Sequence, residues 1–366
     1  MTSSRPTPRD RFHAVMRFQA PGRTLATLGG IWPSCYERWA DEGMPEGICS
    51  TEDLWDHFDL DPHVWCGPKA KLFTHPAFPR DVLGETEETV TYVNHLGITC
   101  TEYKQNAYKP MPHFEAFPVT SPEDWTAYKE RLQWRADRVG EAWERQKEQL
   151  RASTAPVILS LDRTGSLYGA LRDMLGMETL SLMLYDEPDM IEDMMDTVTE
   201  LCLASIDALF TDYVPDAVCL WEDMAYKTAP LVSPAIVRDR MVPRYKQMTA
   251  KLKDKGVPFI FLDSDGFCDE LIPLWLEAGI DGLVPMERQC GMHPDVYREK
   301  HPTLLMCGGI DKRALAEGHA AIDREMDRVR RTIADGGFVP WFDHGLPHDV
   351  PWDHFVYFVE QLRELR

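Results

Sequence analysis

The chain has 366 residues, 44% of them hydrophobic and 27% charged, the balance of a folded globular protein rather than a disordered one. Against 39 basic residues stand 60 acidic ones, a formal net charge of −21; such a surface repels phosphate backbones and anionic lipid and argues against nucleic-acid and membrane partners. No apolar run reaches the ~18 residues of a membrane span, and the polar start MTSSRPTPRDRF lacks the apolar stretch of a secretory signal, so a cytoplasmic location is expected.

In chain order, a short helix is expected over residues 9–18, ending at the Pro21-Gly22 breaker. Residues 24–111 are irregular and rich in aromatics and prolines, except that 89–103 (TVTYVNHLGITCTEY) read as a hairpin turning at Asn94–Gly97. Ser121, followed by Pro122, Glu123 and Asp124, is a capped helix start, and that helix is expected to run to about residue 150. From there short apolar runs recur: 156–161 (PVILSL), 217–221 (AVCLW), 258–262 (PFIFL), 282–285 (GLVP), 304–307 (LLMC) and 338–342 (FVPWF). Unbroken apolar strands suit a sheet covered on both faces. Helical stretches at 188–211, 234–255, 269–278 and 312–335 separate most of them, which is the alternation of an α/β fold. The nine cysteines include no CxxC pair; buried small side chains are expected rather than a disulfide framework.

Polar residues follow each run at once: Asp162 and Arg163; Glu222 and Asp223; Asp263, Ser264, Asp265 and Gly266; Glu287, Arg288 and Gln289; Gly308, Gly309, Asp311 and Lys312; Asp343, His344 and Gly345. In a parallel barrel such strand ends converge on one rim, where barrel active sites sit. Asp263, Asp265 and His344 stand out, because a charge at the end of a buried strand costs free energy unless it is paired or ligated. The i, i+2 spacing of the two aspartates points both to one face. Cys307 reads as an inert strand thiol. Trp32, Trp39, Trp55 and Trp65 fit either a wall over substrate or core packing.

The segments RFHAVMRFQ, PVTSPEDWTAYKERL, GALRDMLGMETL, YDEPDMIEDMMD and LVSPAIVRDRMVPRYKQM resemble the uroporphyrinogen decarboxylase-like superfamily, and LLMCGGIDKRAL with DHGLPHDVPWDHF does so most specifically. The resemblance spans about Arg9 to Leu365. It implies a (β/α)8 TIM barrel with N-terminal decoration and a short β-hairpin, in one domain over 1–366: N-terminal helices and hairpin in 1–150, most barrel strands in 151–366. The superfamily holds the decarboxylase and the corrinoid-linked methyltransferases that pass methyl groups to thiols. The decarboxylase's MRQAGR segment, whose arginines grip an acidic tetrapyrrole, is replaced here by TLGGIWPSCYERW, although His344 matches its GHG-type histidine. The zinc-binding HxCG motif and late cysteine of the methyltransferases are similar in placement to 263–266 (DSDG) and His344. The soft ligands have become two carboxylates and an imidazole, a set for zinc with water or another hard cation.

The resemblance and the residues together imply an enzyme that moves a methyl group from or to a small methylated substrate. Asp263, Asp265 and His344 form its catalytic or metal set, with Glu222 or Glu287 as a fourth ligand or general base. Arg163, Trp32, Gln289, Asp311 and Asp343 contact substrate. The cofactors are a divalent metal, zinc or another, and a corrinoid carried by a separate partner protein, since no DxHxxG motif occurs in the chain. Three alternatives stay open: a decarboxylase of a carboxylated substrate, a non-catalytic ligand-binding barrel, and a metal-free site in which the aspartates pair with Arg163, Arg288 or Lys312. A homodimer is left open as well.

Overall fold

The computed structural model describes residues 6–105 and 111–366; the first five residues of the polar start and residues 106–110 of the irregular stretch lie outside it. Eleven strands form two sheets. β1 (Val64–Cys66), β6 (Val157–Ser160), β7 (Ala217–Trp221), β8 (Phe259–Asp263), β9 (Gly282–Val284), β10 (Leu305–Ile310) and β11 (Phe338–Phe342) make one parallel sheet in that order. β2 (Asp81–Glu85), β3 (Thr89–Val93), β4 (Thr99–Tyr103) and β5 (His113–Ala116) make an antiparallel one. The expected hairpin is β3–β4, paired from Thr89↔Tyr103 to Val93↔Thr99, so it is the centre of a four-stranded sheet rather than an isolated pair.

The seven-stranded sheet curls until its edges approach. Trp341 of β11 meets Trp65 of β1 edge-on at 6.1 Å and stacks on His63 at 5.2 Å. Among the described residues no eighth strand joins this sheet. The chain from Thr24 to Ile31 passes along this seam, but its bonds are scattered: Thr24 Oγ1 donates to the Phe338 carbonyl at 2.8 Å, Ala26 exchanges bonds with Asp61, and Ile31 bridges Leu346 alone. Gly29 passes so close to Trp341 that a Cβ there would lie 3.0 Å from the indole. A half-barrel with a stitched seam results.

Side chains alternate across the curled sheet. Ile158, Ala217, Cys219, Phe259, Phe261, Val284, Leu305, Cys307, Val339 and Trp341 fill the inside. Leu159, Val218, Leu220, Ile260, Leu262, Met306 and Phe342 belong to the outer core against the helices. The inner core is stopped at its lower end by Phe12, Val15 and Met16 of the helix Pro8–Met16, with Phe12 edge-on to Phe259 at 5.8 Å. Trp39 is wholly buried and packs on Phe355 at 4.5 Å, a core role rather than a substrate wall.

Two expected helices are interrupted. The one beginning at Ser121, whose hydroxyl accepts from Asp124 N, ends at Lys129 and resumes as Glu141–Ala152. Between them Arg138 is buried, its guanidinium donating to the carbonyls of Lys71, Phe73, Arg131 and Gln133. Those bonds replace helical ones and tie the loop after β1 in place. The helix expected over 312–335 is split into Lys312–Glu317 and His319–Ile333 by Gly318 at φ +114°, a conformation glycine adopts without a Cβ penalty. No described helix is long and apolar enough to cross a membrane.

Candidate functional site

The inward alternation that fills the barrel continues past the strand ends and decides which polar residues reach the interior. Counting on from Cys219 it gives Trp221 and Asp223; from Phe261, Asp263 and Asp265; from Val339, Trp341 and Asp343. These residues, with Val284, Pro285, His344 and Gly345, line a cavity of about 290 Å³ at the C-terminal end of the sheet.

Asp223, Asp263 and Asp265 each place a carboxylate oxygen within 4.8 Å of the other two. The loops that carry them are tied together. Asp265 N donates to Asp223 Oδ1 at 3.3 Å, Gly266 N to Glu287 Oε2 at 2.7 Å, and Met224 N to Ser264 Oγ at 3.1 Å. Asp223 holds φ at +47°, a strained value for a residue with a Cβ, and Arg172 fastens it through its carbonyl at 2.6 Å and its carboxylate at 3.8 Å. Asp263 has no side-chain hydrogen bond or ion pair among the described residues. Burial, then Asp223, Asp265 and Asp162, push its carboxyl up to about 8. Burial pushes Asp265 up to about 6 against the pull of His344. Three acids this close cannot all stay charged without a cation.

His344 Nδ1 bonds the Asp343 carbonyl at 3.0 Å, so this nitrogen carries the proton and Nε2 faces Asp265 Oδ2 at 3.5 Å. Asp343 is buried and accepts from Arg288 N at 3.1 Å, while its Oδ1 has no partner among the described residues. Burial raises its pKa, with Lys312 opposing.

The other expected site residues fall elsewhere. Glu222 points outward from the alternation into the helical layer, wholly buried, and accepts from Leu167 N at 2.6 Å, Gly169 N at 3.0 Å, Ser166 Oγ at 3.2 Å and Tyr245 Oη at 2.5 Å. It anchors the start of the helix Tyr168–Leu175 and does not line the cavity. Glu287 holds the Gly266 turn. Gln289 is exposed. Asp311 caps the helix Lys312–Glu317 and pairs with Arg313 at 2.7 Å. Arg163 pairs with Asp173 at 2.5 Å and Asp162 at 2.9 Å and lies over the Trp221 ring at 4.9 Å, so it braces that indole rather than neutralising Asp263 or Asp265. It also lines a neighbouring cavity of about 540 Å³ between 67–77 and 160–164. Trp32 is 42% exposed and packs against Gly345, at the edge of the acidic cavity. Cys307 is buried, which pushes its thiol far above the usual range. Asp223, Trp221 and Trp341 were not singled out from the sequence.

A larger cavity of about 750 Å³ opens along the seam, walled by Leu28–Gly30, Trp55, Trp65 and 152–155. Its His63 is half-buried and bonded to Thr27 Oγ1 at 2.9 Å, and no cluster of ligand-capable side chains gathers there among the described residues.

The donor set fits a hard divalent cation: carboxylate oxygens at chelating separation, one of them without any other partner. Without a cation, the same groups share protons and present a hydrogen-bonding acid face to a ligand.

Residues 88–365 match the model of the uroporphyrinogen decarboxylase (URO-D) family. Among solved structures the chain is similar to a methyltransferase from Methanosarcina mazei, at 13% identity over 98% of this chain and 99% of that one, with a TM-score of 0.60. That likeness is one of fold. A Listeria monocytogenes protein assigned as a vitamin-B12-independent methionine synthase overlaps less, at 12% identity over 59% of this chain and 65% of that one, with a TM-score of 0.36. No curated protein matches the chain.

Proposed function

The chain belongs to the uroporphyrinogen decarboxylase family, and from that premise we propose that it is a methyltransferase acting on a small methylated substrate in the strand-end cavity. The methyl carrier is a corrinoid held by a separate partner protein. The observation that carries the reading is the unpartnered Asp263 carboxylate, set between Asp223 and Asp265 and beside Trp221 and Trp341. The cavity wall carries four aspartates and, among the described residues, no arginine or lysine to grip a polycarboxylate, which weighs against the decarboxylase alternative. Its indoles suit a methyl group.

Transfer breaks the bond between the methyl carbon and the substrate heteroatom. The heteroatom keeps the electron pair and takes up a proton, and the methyl carbon forms its new bond with an electron pair that the carrier, in a reduced nucleophilic state, would supply. With Nδ1–H held on the Asp343 carbonyl, His344 would give that proton from Nε2 in its doubly protonated form, and Asp265 Oδ2 at 3.5 Å holds that nitrogen. Asp223, Asp263 and Asp265 would hold a divalent cation, which supplies Lewis-acid polarisation of the heteroatom. Arg163 and Arg172, over the Trp221 ring at 4.9 and 5.3 Å, keep that wall in place.

The test is methyl transfer from methylated ethers, amines and thioethers to free cobalamin, run beside a carbon dioxide release assay and metal analysis of the purified chain. Methyl transfer that collapses in Asp263→Ala, together with loss of bound metal, supports the reading. No transfer, with tight binding of a carboxylated tetrapyrrole, overturns it.

A further inference from the structure

Away from the cavity, the fold brings together a second set of ligand-capable groups. His319 is the first residue of the helix His319–Ile333, and Asp353 and His354 lie in the first turn of the helix Trp352–Arg363. One nitrogen of each histidine and one oxygen of Asp353 lie within 4.8 Å of one another. We propose that His319, Asp353 and His354 form a zinc-binding site that clips these two helices together.

Both imidazoles are already oriented. His354 Nδ1 lies 2.7 Å from the Leu315 carbonyl. A carbonyl only accepts, so Nδ1 carries the hydrogen and Nε2 is left as a lone-pair donor; histidine ligands of metals are commonly fixed this way. His319 stacks on Tyr357 with ring centroids 4.0 Å apart, and Tyr357 is held by its hydroxyl donating to Asp323 at 2.7 Å. The two imidazoles meet edge-on at 5.4 Å. Gly318, at φ +114°, turns the chain so that His319 starts a new helix beside the old one. His319 and Asp353 are exposed, and Asp353 has no side-chain hydrogen bond or ion pair among the described residues.

Two imidazoles and a carboxylate are a first-row divalent set, and zinc takes three such ligands with water in the fourth position. The two helix N-termini oppose a cation, and the Asp353 charge offsets them. Binding is therefore weaker than at a buried structural zinc site, and the metal stabilises the fold through mass action. This differs from the strand-end set, which is almost all oxygen.

The experiment titrates zinc alone into chelator-stripped full-length chain, in the wild-type background and in Asp263→Asn. Circular dichroism confirms that each variant folds. The site is read as the difference made by His319→Ala, His354→Ala and the shape-preserving Asp353→Asn. The expected result is one zinc equivalent and a rise in Tm that survive Asp263→Asn, with affinity falling at least tenfold on loss of either histidine. Cobalt bound in place of zinc should show visible absorption that the histidine variants lack. The proposal is overturned if the His319→Ala, His354→Ala double variant keeps zinc stoichiometry and affinity, or if the Asp263→Asn chain takes up no zinc.

Discussion

Tyr245 donates its phenol hydroxyl to Glu222 at 2.5 Å, and both side chains are wholly buried in the layer behind β7. With Leu167 N, Gly169 N and Ser166 Oγ on the same carboxylate, Glu222 is an anchor whose removal strands four donors. Glu222→Ala should lower unfolding free energy by about 3 kcal/mol, read from denaturant midpoints. Glu222→Gln, which keeps one acceptor, should lose less. An alanine variant of full stability and no activity would instead return Glu222 to the chemistry.

The aspartate cluster makes stability depend on pH. Asp263 and Asp265 are raised to about 8 and about 6, so the folded chain holds more protons than the unfolded one above pH ~4. Their contribution is whole below that point and is lost as pH climbs through 6 and then 8. Metal-stripped protein should therefore melt lower at pH 8.5 than at pH 5.5. Asp263→Asn should flatten the upper part of that fall and stabilise the stripped chain at pH 8.5 by on the order of 1 to 2 kcal/mol, solvent screening allowed for. A stripped chain that gains stability over this range would contradict the proton count.

His344→Asn keeps a polar side chain beside Asp265 and removes the titrating imidazole. If the histidine supplies the leaving-group proton, kcat should fall about 10²-fold with KM little changed. Steady-state rates for the substrate found in the methyl-transfer screen decide this, and a change confined to KM would assign His344 to binding.

Gly309 lies inside β10 at φ +78°, where a Cβ would come 2.4 Å from Pro294 Cγ. Neither the Pro294 ring nor Met286 Cβ, 3.2 Å away, is a flexible side-chain end. Gly309→Ala should destabilise by about 2 kcal/mol or more and lower Tm by several degrees. Gly256→Ala, where φ is +91° but nothing lies within 4 Å, serves as the control with backbone strain alone and should cost less.

Six of the seven parallel strands coincide with apolar runs visible in the sequence, since strands buried on both faces need no polar residues. The same property hid the register. In AVCLWED every strand position is apolar, so nothing in the run tells whether Glu222 or Asp223 turns inward; only the packing of Ala217 and Cys219 inside, against Val218 and Leu220 outside, assigns it to Asp223. β1 is only three residues long, and β2 and β5 are exposed, so none formed an apolar run long enough to stand out. The helix breaks near Arg138 and at Gly318 come from tertiary bonds and from one glycine's backbone angle. The acidic and imidazole groups of 263–265 and His344 were legible because charges directly behind buried strands are costly, and the structure places His344 beside Asp265.

The helix Pro8–Met16, whose Phe12, Val15 and Met16 stop the base of the inner core, makes the interior a cup instead of a pipe. Under the proposed methyl transfer, a carrier protein that settles over the strand-end cavity would also shut out solvent while it stays, so delivery and protection of the reacting centre would be a single docking event.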